Sequence, residues 1–416
     1  MKERTSKLRL LWLIAIVALM ALVAVACGDD DDDDDNGNGN GGDVTYGNAG
    51  FKTIEIAAGA PIKIGISSIL SGDLTVIGLP IADAAELAGE GKTLFGRSIE
   101  WVRRDDTCSA DGGAAAATQL IQENVVAVIG PVCSGAVRAS QPAYEEAGIT
   151  QVSPSSTAIS VTHPERGAVY KTFLRTTYSD AIQGPAQADF AYDTLNARTA
   201  YIVFDTDAYG SGLRDAFREA FVARGGRIVG SPEGFEKGAT DFLSIVTNIQ
   251  NANPDLVYFS GFSSEATPFI QQLRQENANV LFLAGDGVKN DEFIAGAGAA
   301  AENAYLSLPS PVYGSPAYET FGTAYEAKTG AKRDASPYTA EAYDAASIII
   351  AAIEKVGVEE GGVLKIDLAK LNDEIRKTEL AGAAGTIKFD ARGENVGGET
   401  PVTLFKVTNG AYEQLQ

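Results

Sequence analysis

Two hydroxyl-bearing turns stand close together in the chain, at Cys133-Ser134-Gly135 and at Ser153-Pro154-Ser155-Ser156-Thr157. The first follows a fully apolar run, Val125 to Ile129, that ends in Gly130-Pro131 and reads as a buried parallel strand emptying into a turn. Ser134 then stands where an N-cap hydroxyl would open the helix Ala136 to Ala147. Free backbone N–H groups in such a first turn attract a carboxylate or a phosphate. Gly148 stops the helix, Ile149 to Val152 forms the next strand, and the second turn follows it. Two such turns side by side at strand carboxyl ends make a crevice of the kind in which open α/β sheets hold small ligands.

The elements needed to position these turns are visible along the chain. Strand-like stretches (Ile62 to Ser67, Ser98 to Asp105, Thr199 to Phe204, Asp255 to Ser260, Asn279 to Ala284, Ala304 to Leu308) alternate with helical ones (Gly78 to Gly91, Asp111 to Asn124, Gly210 to Arg224, Thr240 to Asn251, Ser264 to Asn277). This alternation predicts an α/β fold with parallel sheets covered on both faces. Further helices are expected at Ala317 to Thr329, Pro337 to Val356 and Leu368 to Lys377. The ending differs: Gly385 to Asp390 and Val402 to Thr408 read as the two arms of a C-terminal β-hairpin. About 350 residues from Pro61 onwards suit two domains of ordinary size.

The beginning of the chain is of another kind. Lys2, Arg4, Lys7 and Arg9 precede an apolar run from Leu10 to Ala26, followed by Cys27, which reads as a secretory signal over residues 1–27. Ala24 and Ala26 before Cys27 resemble a bacterial lipoprotein signal, whose cysteine is lipidated and becomes the mature N-terminus; the usual leucine three residues before the cysteine is Ala24 here. A retained signal anchor is the competing reading. Either way the body is expected outside the cytoplasm, at the cell surface or in the periplasm, held to a membrane through its N-terminus. Residues 28–60, with Asp29 to Asp35 and an Asn/Gly tract, are read as a solvated tether reaching about 30 Å. Its passing match to a calcium loop lacks flanking helices and is assigned to low complexity, so no metal is expected.

Without the signal and the seven aspartates the body carries a net charge of about −18, which argues against nucleic acid or anionic lipid as partner. Besides Cys27 only Cys108 and Cys133 remain, and in an exported chain this even pair predicts a disulfide. Enzyme signatures are lacking: there is no G-x-S-x-G, P-loop or zinc motif, and the single histidine, His163, precedes Pro164 in a loop. Gly296 to Ala301 formally matches a dinucleotide fingerprint but lacks the opening strand. No cofactor is expected.

With these landmarks in place the chain resembles the branched-chain amino-acid-binding family, the extracytoplasmic receptors of ABC importers, over nearly all of Ile62 to Tyr412. The resemblance is carried by Leu70-Ser71-Gly72, Asp105-Asp106-Thr107-Cys108, Gly130-Pro131-Val132-Cys133-Ser134, Ser153 to Thr157, Leu174-Arg175-Thr176-Thr177, Gln183-Gly184-Pro185, Tyr209-Gly210 and Gly285-Asp286-Gly287, in that order. It implies two Rossmann-like lobes (61–176 with 309–386, and 177–308 with 387–416) joined by a three-crossing hinge near Thr176, Leu308 and Ile387. It also implies a trap that closes on an amino acid and hands it to a permease and its ATPase, working as a monomer. Residue by residue, Ser134 matches the serine that takes the ligand carboxylate, and Thr157 a hydroxyl reaching both ends of the ligand. Ser155 would offer its carbonyl to the ammonium beside Ser156, and Asp286 matches the acid that pairs with it. Tyr209 and Phe262 match aromatic positions of the second lobe, and Ile77 replaces an aromatic near the side-chain pocket. Departures are Asp286, one methylene shorter than the usual glutamate, and Phe262, which lacks a phenol hydroxyl. A receptor sensing amides or short-chain acids on the same fold, and less so an enzyme, stand as competing readings.

Overall fold

The computed structural model describes residues 44–163, 168–276, 280–309, 315–398 and 402–415. The signal, Cys27 and the aspartate tract lie outside the described residues.

Two sheets carry the fold, both in the order second, first, third, fourth, fifth. The six-stranded sheet runs Thr93–Leu94, Arg97–Asp105, Ile62–Ser68, Ala127–Ile129, Thr150–Ser153, Phe173–Arg175, parallel except for the short first strand. The eight-stranded sheet runs Glu233–Phe235, Thr199–Asp205, Leu256–Ser260, Leu281–Ala284, Ala304–Leu308, Thr403–Thr408, Ala411–Gln414, with Arg227–Ile228 beside Thr199–Asp205; only its last two pairings are antiparallel. Central strands such as Ala127–Ile129 and Leu256–Ser260 are buried throughout, as a parallel sheet covered on both faces requires. Each sheet has its switch point between its first and third strands, at Ile62–Ser68/Ala127–Ile129 and at Thr199–Asp205/Leu256–Ser260.

Local chemistry sets the helices between the strands. Ser109 caps Ala110–Gln122 by accepting from Gly112 N at 3.0 Å, and Asp207 caps Ala208–Ala223 by accepting from Tyr209 N and Gly210 N at 2.8 and 3.0 Å. Ser134–Ala147 ends at Gly148, whose φ of 67° is left-handed; a Cβ there would come within 2.5 Å of Phe51 Cα. The helix Thr339–Val356 buries Ile348, Ile349, Ile350 and Ile353, each contributing about 1.5–3 kcal/mol by leaving water.

Several expectations shift. The C-terminal hairpin is present, but its arms are Thr403–Thr408 and Ala411–Gln414. Gly385–Lys388 instead pairs back onto Glu379–Gly382, and Asn409-Gly410 supplies the left-handed two-residue turn that joins the arms of the hairpin. Gly393 O accepts from Arg175 N at 3.0 Å and Asn395 Nδ2 donates to Thr176 O at 2.7 Å, so the chain stays beside the six-stranded sheet through Asn395. Part of the expected tether is folded as well. Thr53–Ile56 alternates exposed and buried residues and pairs antiparallel with Val363–Asp367, burying Ile54 and Ile56. The helix Asp180–Asp189 was not foreseen.

Candidate ligand site

The loops leaving both switch points meet in one narrow cavity, which has about 20 Å³ of room for the centre of a water molecule. From the six-stranded sheet come Ile69, Val132, Cys133, Ser134 and Ser155, with Ile77 from the helix Thr75–Leu87. From the eight-stranded sheet come Tyr209, Phe262, Asp286 and Gly287. Pro337 and Tyr338, ahead of Thr339–Val356, close the remaining side.

Six of the eight residues expected at the site therefore line one cavity: Ile77, Ser134, Ser155, Tyr209, Phe262 and Asp286. Ser156 and Thr157 do not line it. The Ser156 hydroxyl turns away to donate to Ser134 Oγ at 3.1 Å, and its carbonyl accepts from Arg175 Nη1 at 2.8 Å. The Thr157 hydroxyl is buried beside the Asp180 carboxyl, and its carbonyl accepts from Asp180 N at 2.9 Å.

Ser134 is not the N-cap of its helix. Cys133 takes that position, with no side-chain cap, and Ser134 is the first helical residue. Its Oγ already accepts from Ser156 Oγ and from Ala158 N, the latter at 3.2 Å, so the hydroxyl proton remains to be donated. Together with first-turn N–H groups that no side chain satisfies, this makes a donor-rich end suited to a carboxylate. The disulfide Cys108–Cys133, with Cα atoms 5.2 Å apart, ties this helix start to the loop after Arg97–Asp105. At the rim, Lys237 Nζ from the other lobe donates to Thr107 O and Cys108 O at 2.9 and 3.1 Å.

The opposite end is acidic. Asp286 Oδ1 accepts from Tyr209 OH at 2.8 Å and from Gln183 Nε2 at 2.7 Å, and Oδ2 accepts from Tyr338 OH at 2.5 Å. Burial raises the Asp286 carboxyl, while these three donors pull it back. No lysine or arginine donates to it among the described residues, so this end could take a cation. Gly287 must be small: a Cβ there would meet Gly261 O at 2.7 Å, and its N–H donates to Tyr209 OH at 3.1 Å. Phe262 packs against Tyr209 with ring centroids 5.1 Å apart, and Ile69, Ile77 and Val132 complete an apolar wall between the two polar ends.

Sequence reasoning missed Tyr338 and Gln183. Tyr338 has a left-handed φ of 69°, which stops the helix expected from Pro337 and turns the phenol onto Asp286. Its aromatic ring after a proline carried no periodic signal. Gln183 belongs to a motif noticed for its order in the chain but given no role.

Residues 61–411 match the periplasmic binding protein family. The chain belongs to that family. This periplasmic binding protein is 28% identical over 350 residues to the leucine-, isoleucine-, valine-, threonine- and alanine-binding protein of Pseudomonas aeruginosa, covering 83% of this chain and 90% of the relative. Its fold is similar to that of a leucine-binding protein from Thermotoga maritima, with a TM-score of 0.77 and 30% identity over 85% of this chain and 98% of the other. It is likewise similar to a branched-chain amino acid transporter substrate-binding protein from Streptococcus pneumoniae in complex with isoleucine, with a TM-score of 0.74 and 27% identity over 85% of this chain and 98% of that one. Membership in this solute-binding family places the protein outside the cytoplasm. Two lobes of parallel sheet with helices on their faces are the family's periplasmic-binding-protein type I fold.

Proposed function

We propose that this protein is the substrate-binding lipoprotein of an ABC transporter, anchored through Cys27 by the part of the 28–60 segment that precedes Thr53–Ile56. It captures a small aliphatic amino acid between its lobes and delivers it to a permease and its ATPase. The observation that carries the reading is the sharing of one cavity by Ser134 and Asp286, which come from opposite sheets. A zwitterion fits this arrangement: its carboxylate meets the Ser134 hydroxyl and helix start, its ammonium meets Asp286, and its side chain lies against Ile77 and Phe262. Ser155 lies beside the ammonium end, and Ser156 and Thr157 support the turn from behind. A ligand that touches both lobes favours the closed state by its differential affinity for it. The narrowness of the closed cavity requires the lobes to part before a ligand of amino-acid size enters.

Isothermal titration with leucine, isoleucine, valine, alanine and threonine, and with their amides and short-chain acids, tests the reading. Aliphatic amino acids are expected to bind. Binding confined to compounds without an α-amino group would sink it. Asp286→Asn should weaken amino-acid binding by about 1.5–3 kcal/mol, roughly 10- to 150-fold, since a charge-assisted hydrogen bond in a dry cleft is lost. An unchanged dissociation constant in that variant would remove Asp286 from the site.

A further inference from the structure

Behind Asp286 lies a second acid that touches nothing in the cavity. Asp180 opens the helix Asp180–Asp189 and is fully buried, and Asp286 is 3% exposed. One amide joins them, because Gln183 Nε2 donates to Asp286 Oδ1 at 2.7 Å and to Asp180 Oδ1 at 3.2 Å. The amide is oriented from its other side by a chain of donors. Tyr258 OH donates to Gln187 Oε1, Gln187 Nε2 to Ser307 Oγ, and Ser307 Oγ to Gln183 Oε1, at 2.6, 2.8 and 3.0 Å. Both Nε2 hydrogens are therefore committed to the two carboxyls.

The donors are unevenly shared. Asp286 collects three, whereas Asp180 receives the Gln183 amide on Oδ1 and has only the Thr157 hydroxyl beside it otherwise. The cation facing Asp180 is Arg175, but its hydrogens are spent elsewhere: Nε and Nη2 on Glu394, Nη1 on Ser156 O and Ala158 O, and Nη2 also on Thr162 Oγ1. Tyr209, Tyr258 and Tyr338 also face the pair, and burial pushes all three far above the usual phenol value, so they stay neutral. Two neighbouring carboxylates in a dry interior cannot both ionise without a cation. Burial first, and the Asp286 charge second, raise Asp180 to about 8.

We infer that Asp180 is a proton reservoir for the ligand site: it keeps a proton while Asp286 carries the charge, and it releases that proton to solvent when an ammonium group docks on Asp286. The inference rests on the reading of Asp286 as the ammonium partner. Once that proton has left, Asp180 is a carboxylate behind Asp286, reached by the field of the ammonium and still accepting from Gln183 Nε2, which donates to both acids. A carboxylic acid without an amine has the opposite requirement, because Asp286 must then be neutralised by taking up a proton. The sign of proton exchange thus distinguishes the two ligand classes at a single site.

The test is isothermal titration of the full chain with the tightest binder among leucine, isoleucine, valine and alanine, in phosphate and in Tris. The dependence of heat on buffer ionisation gives the protons exchanged. Release of between about 0.2 and 1 proton per ligand is expected, largest between about pH 6 and 8 and fading at lower pH, where the ammonium no longer drives Asp180 to ionise. In Asp180→Asn the buffer dependence should vanish. Amino-acid binding with no proton release across this range, or with the same release in Asp180→Asn, overturns the inference and leaves the amino-acid reading standing. If no amino acid of the panel binds and short-chain acids bind instead, the reading of Asp286 falls, and the inference with it. Should Asp180→Asn fail to fold, the pH profile of the unsubstituted protein decides: a flat profile overturns the inference.

Discussion

Replacing Arg175 by methionine is expected to lower folding stability by about 3–5 kcal/mol, because it leaves Glu394 buried and charged without a partner. Arg175 is fully buried at the end of the last strand of the six-stranded sheet, and Glu394 sits on the segment that runs beside that strand. The pair is bidentate, with Nε to Oε2 at 2.8 Å and Nη2 to Oε1 at 2.5 Å. Burial alone would raise the Glu394 carboxyl, yet the Arg175 guanidinium overcomes that and holds it below the usual range. The loss also reaches the binding turn, since Arg175 Nη1 fastens the Ser156 and Ala158 carbonyls. Urea unfolding measures the effect. A loss under about 1 kcal/mol would show that the pair contributes little, and the double variant Arg175→Met/Glu394→Leu should recover much of the single variant's loss.

Removing the disulfide by Cys108→Ser and Cys133→Ser together is expected to cost about 3–4 kcal/mol, from a sequence separation of 25 residues and the chain entropy of the unfolded state. Binding should weaken with stability. Cys133 lines the cavity beside Ser134, and the Cys108 loop is held by Asp106, whose Oδ1 accepts from Cys108 N at 2.9 Å. Thermal unfolding with and without reductant, followed by titration of each form, separates the two effects. Equal midpoints in both forms would contradict the stability estimate.

Much of the architecture was legible because parallel strands buried on both faces leave unbroken apolar runs, as at Ala127–Ile129 and Leu281–Ala284. The glycine signals held for similar reasons: Gly148 ends its helix where only a left-handed residue without a Cβ fits. Elements without such signatures escaped. Asp180–Asp189 carries Gly184 and Pro185 in its middle and buries Asp180, Gln183 and Gln187, so polar residues occupy the face where periodicity is sought. Thr53–Ile56 is short and follows a low-complexity tract that masked its alternation. At the site, the side chains brought by turns at strand ends could be placed from their order. Ser156 and Thr157 differ because their orientation depends on Arg175 and on the Asp180–Asp189 helix, contacts that span longer stretches of chain. The acid's neighbours, Gln183 and Tyr338, are likewise long-range, lying 103 and 52 residues from Asp286.

The side chains lining the cavity sit just beyond the carboxyl ends of strands from both sheets, on turns and helix starts, while most of the apolar mass that stabilises each sheet lies further back. Appetite and architecture can therefore diverge over evolutionary time. Substitutions at cavity-lining positions such as Ile77 or Phe262 would leave the strand order intact, so lineages of this scaffold can diversify their diets faster than their shapes.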